Sequence, residues 1–197
     1  MIKRLTLLFT LFAGSVMAAN WQEGTHFKIV NPAGKTSQPT VIEIFSYGCP
    51  HCYEADPMIE EWLKTKPANV KFERVAAFGF NPAWDVFAKM FYTAQALGLT
   101  DKVHHEIFAR IHVKGKKTWS DGEVVKFFGE FGKDEKTVRA AMDGFHVDSK
   151  LKASKAMLTK YKVGGVPSFI VNDKYFTDFR LGGKDAFPII NDLVTKK

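Results

Sequence analysis

Thr40-Val41-Ile42-Glu43-Ile44-Phe45-Ser46-Tyr47-Gly48-Cys49-Pro50-His51-Cys52 decides the fold. The apolar, β-branched run at 40–45 reads as a buried strand. Gly48 marks a break. Pro50 falls where a helix would begin, because its fixed φ and missing N–H suit the first helical position. The stretch therefore reads as strand, tight turn and helix, with Cys49 at the helix mouth and Cys52 one turn in. These are the only two cysteines of the 197 residues.

A thiol is nucleophilic only as its thiolate, and a free cysteine titrates near pH ~8.5. At a helix N-terminus Cys49 faces unpaired N–H groups and the positive end of the dipole. The dipole is worth about 0.3–2 kcal/mol, which is about one pKa unit. N–H···S bonds and the neighbouring His51 have to supply the rest. Cys52, lying deeper, is expected to be the resolving thiol. Stabilising the Cys49 thiolate stabilises the reduced protein and makes the disulfide a stronger oxidant, by about 30 mV for each ~1.4 kcal/mol. Two other readings of C-x-x-C are half of a zinc site and an inert bridge. Zinc wants four ligands, and no second C-x-x-C or H-x3–5-H accompanies the pair. A four-residue loop restricts the unfolded chain little, so a bridge there would add little stability.

Upstream, Lys3 and Arg4 precede an apolar run (5–14) and Val16-Met17-Ala18. This is the pattern of a cleavable export signal over residues 1–18, cut after Ala18 or Ala19. The run is short for a membrane span, which needs ~20 residues, although an uncleaved anchor is the alternative. Export places the chain where disulfides can persist. The formal charge of +7 drops to +5 without Lys3 and Arg4. The excess lysines are scattered, so a solvated surface is the simplest reading; no nucleic-acid motif is present.

Downstream, His26–Val30 reads as a short edge strand. Tyr53–Lys66 continues the helix with a kink expected at Pro57, and Asn69–Ala76 alternates as the next strand. This is β-α-β, with parallel strands. Residues 80–147 change character. Apolar positions at helical spacing, a Gly98 stop, a Ser120–Glu123 capping box and an Asp134 cap predict four short helices with no strand between them. His104, His105 and His112 read as surface or packing residues, since adjacent helical positions face different directions. The Phe residues near 78–91 are the better candidates for a minority substrate groove within a stripe that is otherwise core. Asp148 is expected to cap a helix from Ser149 to about Lys162. Val163-Gly164-Gly165-Val166-Pro167 then leads into a hairpin turning at Asn172-Asp173, and a terminal helix runs from Lys184 to Val194. Glu43 sits inside the central strand. It is either a buried carboxyl that moves protons beneath the cysteines or a carboxylate that is paired with a base such as Arg74 or exposed.

A β-α-β half bearing C-x-x-C and a β-β-α half opening with a proline resemble the thioredoxin fold. The export signal, Cys49-Pro50-His51-Cys52, the helical insertion and Gly165-Val166-Pro167 narrow the resemblance to the DsbA family of bacterial periplasmic thiol:disulfide oxidoreductases. It covers nearly the whole chain after the signal. It implies an α/β, thioredoxin-like domain over 19–79 and 148–197, interrupted by an all-helical subdomain over 80–147. It makes Cys49 the exposed nucleophile and Cys52 its buried partner, with Pro50, His51 and Glu43 tuning the pair. It makes Pro167 a cis-proline facing the cysteines, with Val166 offering backbone hydrogen bonds to an extended substrate. A low thiol pKa and a strongly oxidising potential come with the resemblance. So do reduced exported proteins as partners, a DsbB-like inner-membrane quinone reductase as reoxidant, and a monomer with no cofactor beyond the Cys49–Cys52 disulfide. Tyr47-Gly48 and Ser168 occupy variable positions that shape the groove and partner choice. The rival readings are a disulfide isomerase or reductase on the same fold, an oxidase dedicated to one client, and a binding module whose cysteines are incidental.

Overall fold

A computed structural model describes residues 20–196. The expected export signal lies outside the described residues. The elements run β1 (Lys28–Ile29), β2 (Thr40–Phe45), α1 (Pro50–Thr65), β3 (Lys71–Ala76), α2 (Asp85–Ala96), α3 (Thr100–His112), α4 (Asp121–Gly129) and α5 (Glu135–Met142). There follow α6 (Phe145–Lys160), β4 (Ser168–Val171), β5 (Tyr175–Asp178), α7 (Phe179–Gly182) and α8 (Ala186–Leu193). The sheet order is β1-β5-β4-β2-β3. Among the described strands β2 and β3 pair in parallel; the β2–β4, β4–β5 and β1–β5 pairs are antiparallel. This is the thioredoxin-like arrangement, with α2–α5 inserted between β3 and α6.

The central strand is buried because both faces of the sheet are covered. Val41, Ile44 and Phe45 have no exposed surface. On one face α1 and α8 pack Ile59, Trp62, Ile189 and Leu193 against Val41 and Phe169. Beyond the C-terminal end of β2, a second core forms from Phe45, Phe87, Phe91, Phe108, Phe127 and Phe128. Burying each such ring is worth about 1.5–3 kcal/mol, so of the phenylalanines near 78–91, Phe87 and Phe91 hold the insertion together, Phe78 packs partly against them and Phe80 is exposed. Gly98 ends α2 at φ +66°, a conformation that favours glycine. The Ser120 box forms as expected: Glu123 N–H donates to Ser120 Oγ at 3.4 Å, and Ser120 N–H donates to Glu123 Oε2 at 2.8 Å. Asn172 and Asp173 adopt φ of +54° and +58° in the hairpin turn. Asn172 also receives Thr40 N–H on Oδ1 at 3.0 Å and donates Nδ2 to the carbonyls of Leu193 and Val194. It thereby fastens the start of β2, the hairpin and the end of α8 together.

Three local expectations need correction. The helix expected from Ser149 begins at Phe145, with Gly144 as its N-cap. Asp148 lies in the first turn, where its charge complements the dipole and pairs with Lys152 at 2.6 Å. The 147/148 boundary thus falls inside α6. A short helix, α7, was not foreseen; Asp178 caps it by accepting the N–H groups of Arg180 and Leu181, both at 2.9 Å. The terminal helix proper begins at Ala186, preceded by a 3-10 turn over Gly183–Asp185.

Candidate active site

Cys49 is the N-cap of α1, with an extended backbone (φ −87°, ψ 119°), and Pro50 follows at the first helical position. Its N–H donates to Ser46 O at 3.1 Å, and its carbonyl accepts from Cys52 N–H at 3.1 Å and Tyr53 N–H at 3.2 Å. This turn needs Gly48. A Cβ there would sit 2.5 Å from Trp84 Cδ1, so the indole of Trp84 lies directly on the glycine.

The two sulfurs, both present as free thiols, experience opposite environments. The Cys49 thiol is lowered to about 6. The largest cause is the hydrogen bond from the Cys52 thiol; burial opposes it, and the N–H groups of Cys52 and His51 and the His51 side chain lower it further. Cys52 is pushed well above the ordinary thiol range, first by burial, then by the hydrogen bond and charge of Cys49. Cys49 is only 4% exposed, less open than the expected exposed nucleophile, against 1% for Cys52. Its cover is the loop before β4: the Cys49 thiol donates to Val166 O at 3.4 Å.

The Val166–Pro167 peptide bond is cis. Beside it runs a groove of about 560 Å³ whose floor and walls include His51, Met58, Val166, Pro167, Phe179 and Arg180. Met58 is among the more exposed apolar side chains of the protein. The groove thus lies between α1 and the β5–α7 corner, and its lining includes none of the phenylalanines of 78–91.

Behind the cysteines, Glu43 is 2% exposed and pairs with Arg74. Burial raises its carboxyl to about 7; the Arg74 charge opposes this, and the Asp56 and Glu60 charges add to it. The carboxyl is thus buried and at the same time paired with Arg74, the base that the sequence reading named. Arg74 is shared: Nη2 reaches Asp56 at 3.3 Å and Glu60 at 2.8 Å. Asp56 also meets His104 Nε2 at 3.0 Å and His105 Nδ1 at 2.9 Å. The adjacent histidines diverge as expected, His104 inward and His105 outward with its side chain 65% exposed, yet the two oxygens of one carboxylate receive one ring each. His104 is itself buried.

The structure therefore brings Cys49, Cys52, Pro50, His51, Val166 and Pro167 together at one surface, with Glu43 beneath. Trp84, Asp56 and Met58 were missed as site neighbours. Their only sequence signal is proximity to the cysteine helix, and for Trp84 there is none.

A family model described as a DSBA-like thioredoxin domain matches residues 83–193. The chain is 37% identical over 159 residues to the thiol:disulfide interchange protein DsbA of Azotobacter vinelandii, covering 81% of this chain and 72% of that protein. It is 31% identical over 193 residues to the protein of that name from Pseudomonas aeruginosa, covering 95% and 91%. Among solved structures, Pseudomonas aeruginosa DsbA superposes with a TM-score of 0.80 at 29% identity, covering 88% of this chain and 93% of that one. The oxidoreductase DsbA from Xylella fastidiosa gives 0.78 at 28% identity, covering 86% and 94%.

Proposed function

The chain belongs to the DsbA family, and from that premise we propose that its Cys49–Cys52 disulfide is the oxidant it donates to reduced exported proteins. The protein is a thiol:disulfide oxidoreductase. The observation that carries the residue assignment is the opposed tuning of the two sulfurs, Cys49 down to about 6 and Cys52 well up.

In the oxidised protein a client thiolate attacks Cys49 Sγ. The Cys49–Cys52 bond breaks, a mixed disulfide forms at Cys49, and Cys52 leaves as a thiolate that takes up a proton. A second client thiol, losing its proton, attacks the client sulfur of the mixed disulfide. The client disulfide forms and Cys49 departs as the stabilised thiolate. Two electrons pass from the client dithiol to the protein. The low proton affinity of Cys49 makes it the good leaving group in this second step, and the high affinity of Cys52 keeps it from attacking back. Glu43, with a carboxyl near neutrality, is positioned to supply the proton Cys52 requires. Pro50 sets the helix start and His51 contributes a hydrogen bond to the thiolate. Val166 and Pro167 form the wall on which an extended client segment lies, with backbone pairing that tolerates many sequences.

The same reading takes the protein to be periplasmic, exported by a signal cleaved after Ala18 or Ala19, monomeric, and without a cofactor beyond its own disulfide. A DsbB-like quinone reductase of the inner membrane restores that disulfide. The reading also divides the chain into a thioredoxin-like part (19–79 and 148–197) and an insertion (80–147), with the downstream boundary moved to Gly144, the N-cap of α6.

The test is the equilibrium of the pair with glutathione, together with trapping by Cys52→Ser. A potential well above thioredoxin's ~−270 mV, toward −120 mV, and a mixed disulfide accumulating at Cys49 support the oxidase. A potential near or below thioredoxin's moves the assignment to a reductase. Full cellular activity of Cys49→Ser leaves only a binding module.

A further inference from the structure

His104, Phe108 and His112 follow one another at intervals of four on α3, so they form a single stripe on one face of the helix. That stripe meets the chain on both sides of the cysteine pair. Before it, the Tyr47 hydroxyl contacts His104 Nδ1 at 2.9 Å, and the Tyr47 carbonyl lies 2.7 Å from His112 Nε2. After it, His112 stacks on Tyr53 with ring centroids 4.9 Å apart and an interplanar angle of 12°, and His104 Nε2 meets Asp56. Phe108 fills the space between, edge-on to Tyr47 at 4.9 Å.

The partners fix the ring states. A carbonyl only accepts, so His112 Nε2 carries a proton and donates it to Tyr47 O. Asp56 accepts from His104 Nε2–H. His104 Nδ1 is then an acceptor and takes the proton of the Tyr47 hydroxyl. Tyr47 itself is wholly buried and cannot turn to water for these bonds.

We propose that His112, supported by His104, is a positioning residue for the redox pair: from the helical insertion it fixes the 47–48 peptide, and with it the turn that presents the Cys49 sulfur to its donors. The peptide it holds is the one that must be seated for Gly48 N–H to reach Ser46 Oγ at 3.2 Å and Cys49 N–H to reach Ser46 O at 3.1 Å. Donors to a sulfur are sensitive to small changes in distance and angle. A turn free to rock would therefore hold the thiolate less well, although every donor is still present. This also gives the insertion a part in the chemistry: it braces the cysteine turn that the thioredoxin-like half supplies.

The inference rests on the redox reading of the pair, but its test needs no client. Thiolate absorbance of the reduced, signal-free chain is titrated for wild type, His112→Leu, which keeps bulk and loses the donor, and His112→Gln, which retains an N–H donor. The Leu variant is expected to titrate about half a pH unit higher, equivalent to about a threefold weaker thiolate, and the Gln variant close to wild type. Tyr53→Leu, at a half-exposed position, removes only the stacking partner and shifts the titration the same way by less; it serves where His112→Leu does not fold. If the variants melt earlier while the thiolate titration stays where the wild type has it, the stripe is packing alone and the proposal is overturned. If the wild type itself shows no low-pH thiolate, the redox assignment fails first, and the two failures are told apart.

Discussion

Glu43 and Arg74 face each other in register on adjacent parallel strands, Oε2 to Nε at 2.9 Å, and the carboxyl nevertheless sits near neutrality. One guanidinium serves three carboxylates, those of Glu43, Asp56 and Glu60. Glu43, the most buried of the three, gains too little from it to offset its desolvation.

That imbalance has a pH signature. Burial raises the Glu43 carboxyl from 4.5 to about 7. A raised carboxyl binds its proton more tightly in the native state, so its contribution to stability is intact below about 4.5 and is lost as pH rises through about 7. The loss is at most about 3 kcal/mol. Glu43→Gln is expected to flatten the urea midpoint of the oxidised protein across this window. A wild-type slope that survives the substitution would assign the effect to another group.

The Cys49 thiol runs the other way, from 9.0 down to about 6. Its thiolate stabilises the reduced protein fully above about pH 9, and the effect fades as pH falls through about 6. At pH 7 it amounts to about 1 kcal/mol. The difference between reduced and oxidised denaturation midpoints should therefore widen from pH 5 to pH 8. A constant difference would count against a stabilised thiolate.

Gly48→Ala drives a methyl group to 2.5 Å from the Trp84 ring. We expect a loss of about 1–3 kcal/mol in stability. Trp84→Leu should relieve much of it, so that the double variant is more stable than the sum of the singles predicts. Simple additivity, measured by chemical denaturation, would show that the ring and the glycine do not constrain each other.

Met58 lines the groove together with Pro167 and offers it an exposed apolar side chain. Met58→Glu is expected to raise KM for a reduced apolar peptide by about tenfold, while the glutathione equilibrium of the cysteines stays unchanged. An unchanged KM would move client binding away from this groove.

The fold was legible where its signals are local. Pro50 after Cys49, the Ser120–Glu123 box and the Asn172-Asp173 turn each specify their backbone within a few residues, and each appears in the structure. The site was half legible. The cysteines, His51 and the Val166-Pro167 step announce themselves as short motifs. The imidazoles of α3 do not, because their meaning depends on Tyr47 and Asp56, which lie some fifty residues away in the chain. His104 and His105 diverge as neighbouring helical residues do, but that both reach Asp56 was not legible, because a carboxylate offers two oxygens in different directions. The start of α6 was misplaced because Asp148 and Gly144 both carry helix-start chemistry, and sequence alone does not rank them.

The carbonyl of Ala76, the last residue of β3, accepts from the Tyr92 hydroxyl at 3.2 Å and from Ser154 Oγ at 2.7 Å, and Ser154 Oγ also receives Phe78 N–H at 3.2 Å. The joint through which the chain passes into the insertion is therefore pinned from α2 and from α6 at once. A single carbonyl at the end of β3 ties three elements into one knot, so a load on any of them is shared by the other two.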